Sequence, residues 1–277
     1  MSIKTDWTVV PSGKSEAAWT KFRNELGPDG SRVIIQLEED TSFRRKLAAF
    51  ARRGGIVEPA SLKLTRYILG QNSFFPEDWV DFYGAQFSKK QLREVGKFPW
   101  GEDVFNSTCQ LCKETVRDCH FAHLGFDKLN GQLLTILKWH ELHPVTGSPR
   151  FYFDGSRNMW YRGHDFAEKF ALNFRWYLTH KEIVPGSTNK DYTNQVATLP
   201  PEYEVPTAVE EVQKNILVFR KTGAWPNFNV YARTKDVTSG GRRVVVGIGG
   251  DGGLRVDLWD GNGLYSVGLG ASRKLPS

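Results

Sequence analysis

The chain has only three cysteines in 277 residues, and all lie between Cys109 and Cys119. An odd, crowded set does not build the disulfide framework of a secreted domain, so a reducing, cytoplasmic home is expected. Met1-Ser2-Ile3-Lys4-Thr5-Asp6-Trp7 lacks a basic region followed by an apolar run, and no secretory signal is expected there. No stretch approaches the roughly 20 apolar residues that a membrane helix needs. One further absence is local: between Arg242 and Ser266 there is no Lys, Glu, Gln or Met, although Lys and Glu are common elsewhere.

Aromatics are plentiful, at 13% of the chain, within a hydrophobic content of 40%. That much apolar surface offsets chain entropy on burial, which excludes a disordered polypeptide. The formal charge is +6. Its clusters, Arg44, Arg45, Lys46, Arg52 and Arg53 on one expected helix and Lys89, Lys90, Arg93 and Lys97 on another, fit solvated faces before a nucleic-acid footprint.

Patterning predicts an α+β protein with a mainly helical region over 1–100 and a mixed region over 101–277. Asp40-Thr41-Ser42 caps a helix carrying Phe43, Leu47 and Phe50, which stops at Gly54-Gly55. A second helix runs from Pro59 to Gly70, and a third follows Pro76. Ser88-Lys-Lys-Gln91 has the form of a capping box, and Gly96 closes that helix. Leu133–Leu137 and Phe151–Phe153 read as short buried strands. His164–Glu182 reads as an amphipathic helix through Phe166, Phe170, Phe174 and Tyr177. Pro185–Pro206 reads as an irregular connector, and Ala208–Phe219 as a further helix. Arg243–Val246, Gly253–Trp259 and Leu264–Leu269 read as three strands of an antiparallel meander, joined by glycine-rich tight turns.

Cys109-Gln-Leu-Cys112, with Cys119 and His123 following, is the sharpest metal candidate, because a CxxC turn aims two thiolates at one tetrahedral zinc. His120 is an alternative fourth donor, and the glycine that often follows such a turn is absent after Cys112. A structural zinc is the one cofactor expected; the competing reading is three reduced, partly buried thiols. His140-Glu-Leu-His143 lacks the i, i+4 spacing of zinc proteases. His120, His140, His143 and His164 make no adequate hydrolase constellation. The glycine runs at 247–253 precede no helix and carry no GK[ST], so they are not phosphate loops. A helix-turn-helix over Phe50–Ile68 is disfavoured by the long turn containing Glu58-Pro59.

Phe98-Pro-Trp-Gly-Glu-Asp, Leu134-Thr-Ile-Leu-Lys-Trp-His-Glu-Leu-His-Pro144, Phe174-Arg-Trp-Tyr-Leu178, Pro200-Pro-Glu-Tyr-Glu-Val-Pro-Thr-Ala-Val-Glu-Glu211 and Gly268-Leu-Gly-Ala-Ser-Arg-Lys274 resemble a group of uncharacterised bacterial proteins, many from candidate-phylum genomes. The likeness runs from about Phe87 onward. That group varies most over the region matching Arg242–Ser266, around a frame equivalent to Arg243, Val244, Val246, Gly247, Val256, Trp259 and Gly268. In this it is similar to the variable proteins of diversity-generating retroelements, whose C-terminal C-type-lectin-like domain carries mutable positions on a fixed scaffold. Adenine-directed mutagenesis of Asn codons there yields no Lys, Glu, Gln or Met.

The resemblance implies a C-type-lectin-like C-terminal fold. It also implies a non-enzymatic protein that meets a protein or surface ligand through Val245, Arg255, Asp257, Leu258, Asp260, Asn262, Leu264, Tyr265 and Ser266. The second reading is a zinc-containing nucleic-acid-binding protein using Cys109, Cys112, Cys119 and His123 with the basic helices.

Overall fold

A computed structural model describes residues 11–52, 58–152, 159–248, 252–260 and 263–276. Two compact units divide the chain: Met1–Glu58 with Glu77–Arg93, and Pro59–Pro76 with Glu94–Ser277. Among the described residues no helix is long and apolar enough to cross a membrane.

The helices α1 (Ser12–Leu26), α2 (Gly30–Glu39) and α3 (Thr41–Arg52) come first. Asp40 Oδ1 caps α3 by accepting from the amides of Ser42 and Phe43 at 2.7 and 3.0 Å, as the sequence predicts; the Gly54-Gly55 stop lies outside the described residues. Next come α4 (Ala60–Leu69), bounded by Pro59 and by Gly70 at φ 53°, then β1 (Ser73–Phe74), α5 (Pro76–Tyr83) and α6 (Lys89–Val95). The capping box at α6 is formed in full. The Ser88 amide donates to Gln91 Oε1 at 2.9 Å, and the Gln91 amide donates to Ser88 Oγ at 3.2 Å.

The mixed region continues with α7 (Glu102–Asn106), α8 (Val116–Cys119), β2 (His120–Leu124), β3 (Lys128–Leu129), β4 (Gln132–Leu133), α9 (Ile136–Leu142) and α10 (Asp165–Glu168). After these come β5 (Trp176–His180), α11 (Tyr192–Val196), β6 (Tyr203–Glu204) and α12 (Ala208–Thr222). The chain ends with β7 (Tyr231–Val237), β8 (Arg243–Ile248), β9 (Leu254–Trp259), β10 (Val267–Leu269) and β11 (Ser272–Arg273).

Two sheets organise this unit, in the orders β1-β2-β5-β11-β6 and β10-β7-β8-β9. The helix α12 packs against β1 and β2 of the first and β7, β8 and β9 of the second. Its residues 208–218 are all buried, polar ones included. Each buried polar group therefore needs a partner. Lys214 pairs with Glu211 at 2.7 Å with both side chains fully buried, and Asn215 donates to the Glu211 carbonyl at 2.7 Å.

Four expectations are corrected. The predicted helix His164–Glu182 is only α10, and its second half is β5, the middle strand of the five-stranded sheet. Every residue of β5 is buried, so no alternation advertises a strand, and the phenylalanine spacing suggests a helix instead. The predicted strand Leu133–Leu137 turns into α9 once Thr135 Oγ1 accepts from the Lys138 amide at 3.3 Å. The last strand is not the end of an antiparallel meander. β10 runs parallel to β7, an unanticipated strand, while β8 and β9 pair antiparallel as expected. Phe151 forms only an isolated bridge to Leu254, and Phe153 lies outside the described residues.

Candidate metal centre

The bridge between Thr108 and Thr115 closes a tight loop around the CxxC turn. The Cys109 amide donates to the Glu114 carbonyl at 2.7 Å, and the Lys113 amide returns to the Cys109 carbonyl at 3.0 Å. Lys113 sits at φ 70°. This is the left-handed conformation that glycine usually fills, and Lys113 adopts it at a cost on the order of 1 kcal/mol. The Leu111 amide donates to Cys109 Sγ at 3.3 Å. Cys119 is the last residue of α8, one turn beyond its cap at Thr115.

The fourth donor comes from elsewhere. His180 ends β5, paired across the sheet with His120 at the start of β2. Donor atoms of Cys109, Cys112, Cys119 and His180 all lie within 4.8 Å of one another. A tetrahedral zinc with bonds of about 2.3 Å sets its donors roughly 3.8 Å apart, so closing on the ion takes shifts of about 1 Å or less. His180 Nδ1 lies 2.9 Å from the Glu182 carbonyl. That contact makes Nδ1 the donor and leaves a lone pair on Nε2, which is buried without a hydrogen-bond partner. Metal-bound histidines are oriented in this way, with the second ring nitrogen donating to a carbonyl.

His123, expected as a ligand, is placed elsewhere. On a strand, an interval of three residues reverses the face, so His123 points away from the side taken by His120. Its Nδ1 accepts from Gln213 at 2.9 Å, its Nε2 lies 3.4 Å from Thr179 Oγ1, and its ring stacks on Tyr177. His120 stays beside the cluster, with Nδ1 3.1 Å from Cys119 Sγ and Nε2 3.1 Å from the Tyr203 hydroxyl. Burial, with the neighbouring His180, lowers the His120 pKa to about 3, so its ring is neutral.

The three thiols share their protons unequally. Cys109 is lowered to about 2, chiefly by the hydrogen bond from Cys119 and against its own burial. Cys119 is raised by that same contact and by burial, and Cys112 is raised chiefly by burial. Cys109 is the first of the three to ionise, and a dication bound by the cluster would draw off the remaining thiol protons. Cys112, Cys119 and His180 border a cavity of about 270 Å³, shared with Glu114, Asp118 and Glu182, which leaves an approach for an ion.

The remaining histidines do not converge. His140 packs on Phe151 and His143 on Trp139, while His164 precedes α10 beside Trp160. Among the described residues the Cys₃His group is the one cluster with metal-ligating geometry.

The residues expected on the display surface fall into three groups. Val245 is 2% exposed; it pairs in register with Arg233, which donates to Gln195 Oε1 at 2.8 Å, so cover lies over that face of β8. Arg255, Leu258, Leu264 and Ser266 are half-buried, and the Arg255 guanidinium lies 3.5 Å over the Tyr152 ring. Asp257 and Asp260 are exposed, and Tyr265 is 77% exposed. Asn262 lies outside the described residues.

No family model, curated protein or solved structure matches the chain.

Proposed function

We propose that this chain is a non-enzymatic binding protein, the target protein of a diversity-generating retroelement. In this reading a C-type-lectin-like scaffold, stapled by a structural zinc on Cys109, Cys112, Cys119 and His180, presents C-terminal side chains to a protein or other surface ligand. The observation that carries it is the sorting of residues along β8 and β9. Val244, Val246 and Val256 of the frame are buried, and Gly247 is fixed by close approach, since a Cβ there would lie 2.2 Å from the Val230 carbonyl oxygen. Half-buried Arg255 and exposed Asp257 alternate with buried Leu254 and Val256, and Tyr265 is exposed.

A rigid frame with exposed residues between its buried ones is what recognition by side-chain variation requires. The gap in composition over 242–266 adds support, because Lys, Glu, Gln and Met are the long side chains that Asn-codon mutagenesis does not produce. Val245 belongs with the frame in this scheme. Sequencing the gene's neighbourhood tests the proposal. A reverse transcriptase and a near-copy of the segment encoding 242–266 are expected; a complete locus with neither would sink it.

A further inference from the structure

A second site lies away from the cysteine cluster. A cavity of about 210 Å³ is bordered by Phe166, Phe170, Arg175, Tyr177, Glu204 and Glu210, and it shares Phe166 and Phe170 with an adjoining cavity of about 460 Å³. Together they form one cleft of the size that takes a small molecule, with aromatic walls and a few converging polar groups.

Its floor is unusual. Glu210, in the first turn of α12, is only 4% exposed. It accepts from Thr179 Oγ1 at 3.4 Å, and among the described residues it has no ion pair. An ionised carboxylate in that position is costly unless a counter-charge is supplied. The two cations on the cleft wall supply it only in part: Lys235 opposes the rise in the Glu210 pKa, and Arg175 shares its charge with Tyr177 and Glu204. Arg175 lies 4.6 Å over the Tyr177 ring with Glu204 at 4.0 Å, and Lys235 is solvent-exposed. Of the other carboxylates on the wall, Asp236 accepts from the Ala208 amide at the start of α12 and Asp165 pairs with Lys169 at 2.8 Å.

We propose that this cleft binds a small organic ammonium ion, whose charge meets the Glu210 carboxylate while its apolar part lies between Phe166 and Phe170. Aromatic faces attract cations, most strongly where water is excluded. Burial raises the Glu210 pKa to about 7, with Glu211 and Glu204 reinforcing and Ser272 and Lys235 opposing, so the carboxyl sits near half-protonation at neutral pH and a bound cation would complete its ionisation. A carboxyl whose pKa is shifted by burial and that borders a cleft is a functional-site candidate.

Three probes sharing one ring test this by calorimetry on the full chain: 2-phenylethylamine, 2-phenylethanol and phenylacetate. Saturable 1:1 binding of the amine is expected, with the alcohol and the acid at least about tenfold weaker. Glu210→Gln should weaken amine binding at least tenfold while zinc content and near-ultraviolet circular dichroism stay unchanged. Phe170→Ala, at a side chain already 52% exposed, should weaken it several-fold without affecting folding. Equal binding of all three probes, no amine binding up to about 10 mM, or undiminished binding by a folded Glu210→Gln protein would each overturn the proposal. None of these outcomes depends on the display surface.

Discussion

Gln213 donates to His123 Nδ1 at 2.9 Å from the middle of α12, and its second bond, to the Leu124 carbonyl at 3.1 Å, ties the helix to β2. His123 is therefore a core residue of the five-stranded sheet. His180 stands in its place in the Cys₃His cluster, with Nε2 buried and without a hydrogen-bond partner.

The two histidines should respond differently to substitution. Purified protein is expected to hold about one equivalent of zinc, since structural sites bind it tightly. His180→Ala should lower zinc affinity by at least about 100-fold, whereas His180→Cys should restore binding through a fourth thiolate. His123→Gln should leave the zinc content at one equivalent. Metal analysis with a competing chelator reads all three variants, and zinc retained by His180→Ala would remove His180 from the site.

The CxxC turn was legible because its donors are close in sequence. His180 was not, because it reaches the cluster only through the pairing of β5 with β2. The same strand carries no alternating signature, because burial on both faces erases the period of two. Helix ends were legible where local chemistry sets them, as at Ser88 and Asp40. The parallel pairing of β10 with β7 depends on a neighbour far back in the chain, and Gly268 of β10 is packed by another distant segment. A Cβ there would lie 2.6 Å from Ile183 Cδ1, a contact no local pattern reveals.

Substitution within the C-terminal sheet should separate frame from display. Asp257→Asn and Tyr265→Ser should change stability by no more than about 0.5 kcal/mol, because their side chains reach solvent. Leu254→Ala, at a residue 1% exposed, should cost about 2–5 kcal/mol by leaving a cavity. Thermal melts of the three variants decide it; equal losses would make this segment ordinary core and remove the physical basis for a displayed surface.

Gly247→Ala should also be severe. Its Cβ would meet backbone, the Val230 oxygen at 2.2 Å and the Tyr231 Cα at 2.7 Å, and neither can swing aside like a flexible side chain. A loss of about 1–3 kcal/mol or more is expected. Gly13→Ala, with nothing within 4 Å, serves as the control. Chemical denaturation of both reads the difference, and a neutral Gly247→Ala would mean that β7 and β8 can part without cost.

Stability should fall away on both sides of mildly acid pH, for opposite reasons on one hydrogen-bond path. His123 Nε2 donates to Thr179 Oγ1, and Thr179 donates to Glu210 Oε1, each across 3.4 Å. Burial, reinforced by Lys214, lowers the His123 pKa from 6.5 to about 3. Its contribution is present above pH 6.5 and is lost as pH falls toward 3, where the folded ring must take up a proton. Glu210 works the other way. Its pKa is raised from 4.5 to about 7, so its contribution is complete below pH 4.5 and is lost as pH rises through 7. Glu210→Gln keeps an acceptor for Thr179 but cannot ionise. It should therefore gain on the wild type between pH 5 and pH 8, by at most about 3 kcal/mol if the full shift is realised. Urea denaturation of both proteins across that range reads the gain directly. A constant difference at every pH would show that Glu210 titrates no differently in the folded and unfolded chains, and the buried, unpaired carboxyl at the floor of the cleft would lose its energetic meaning.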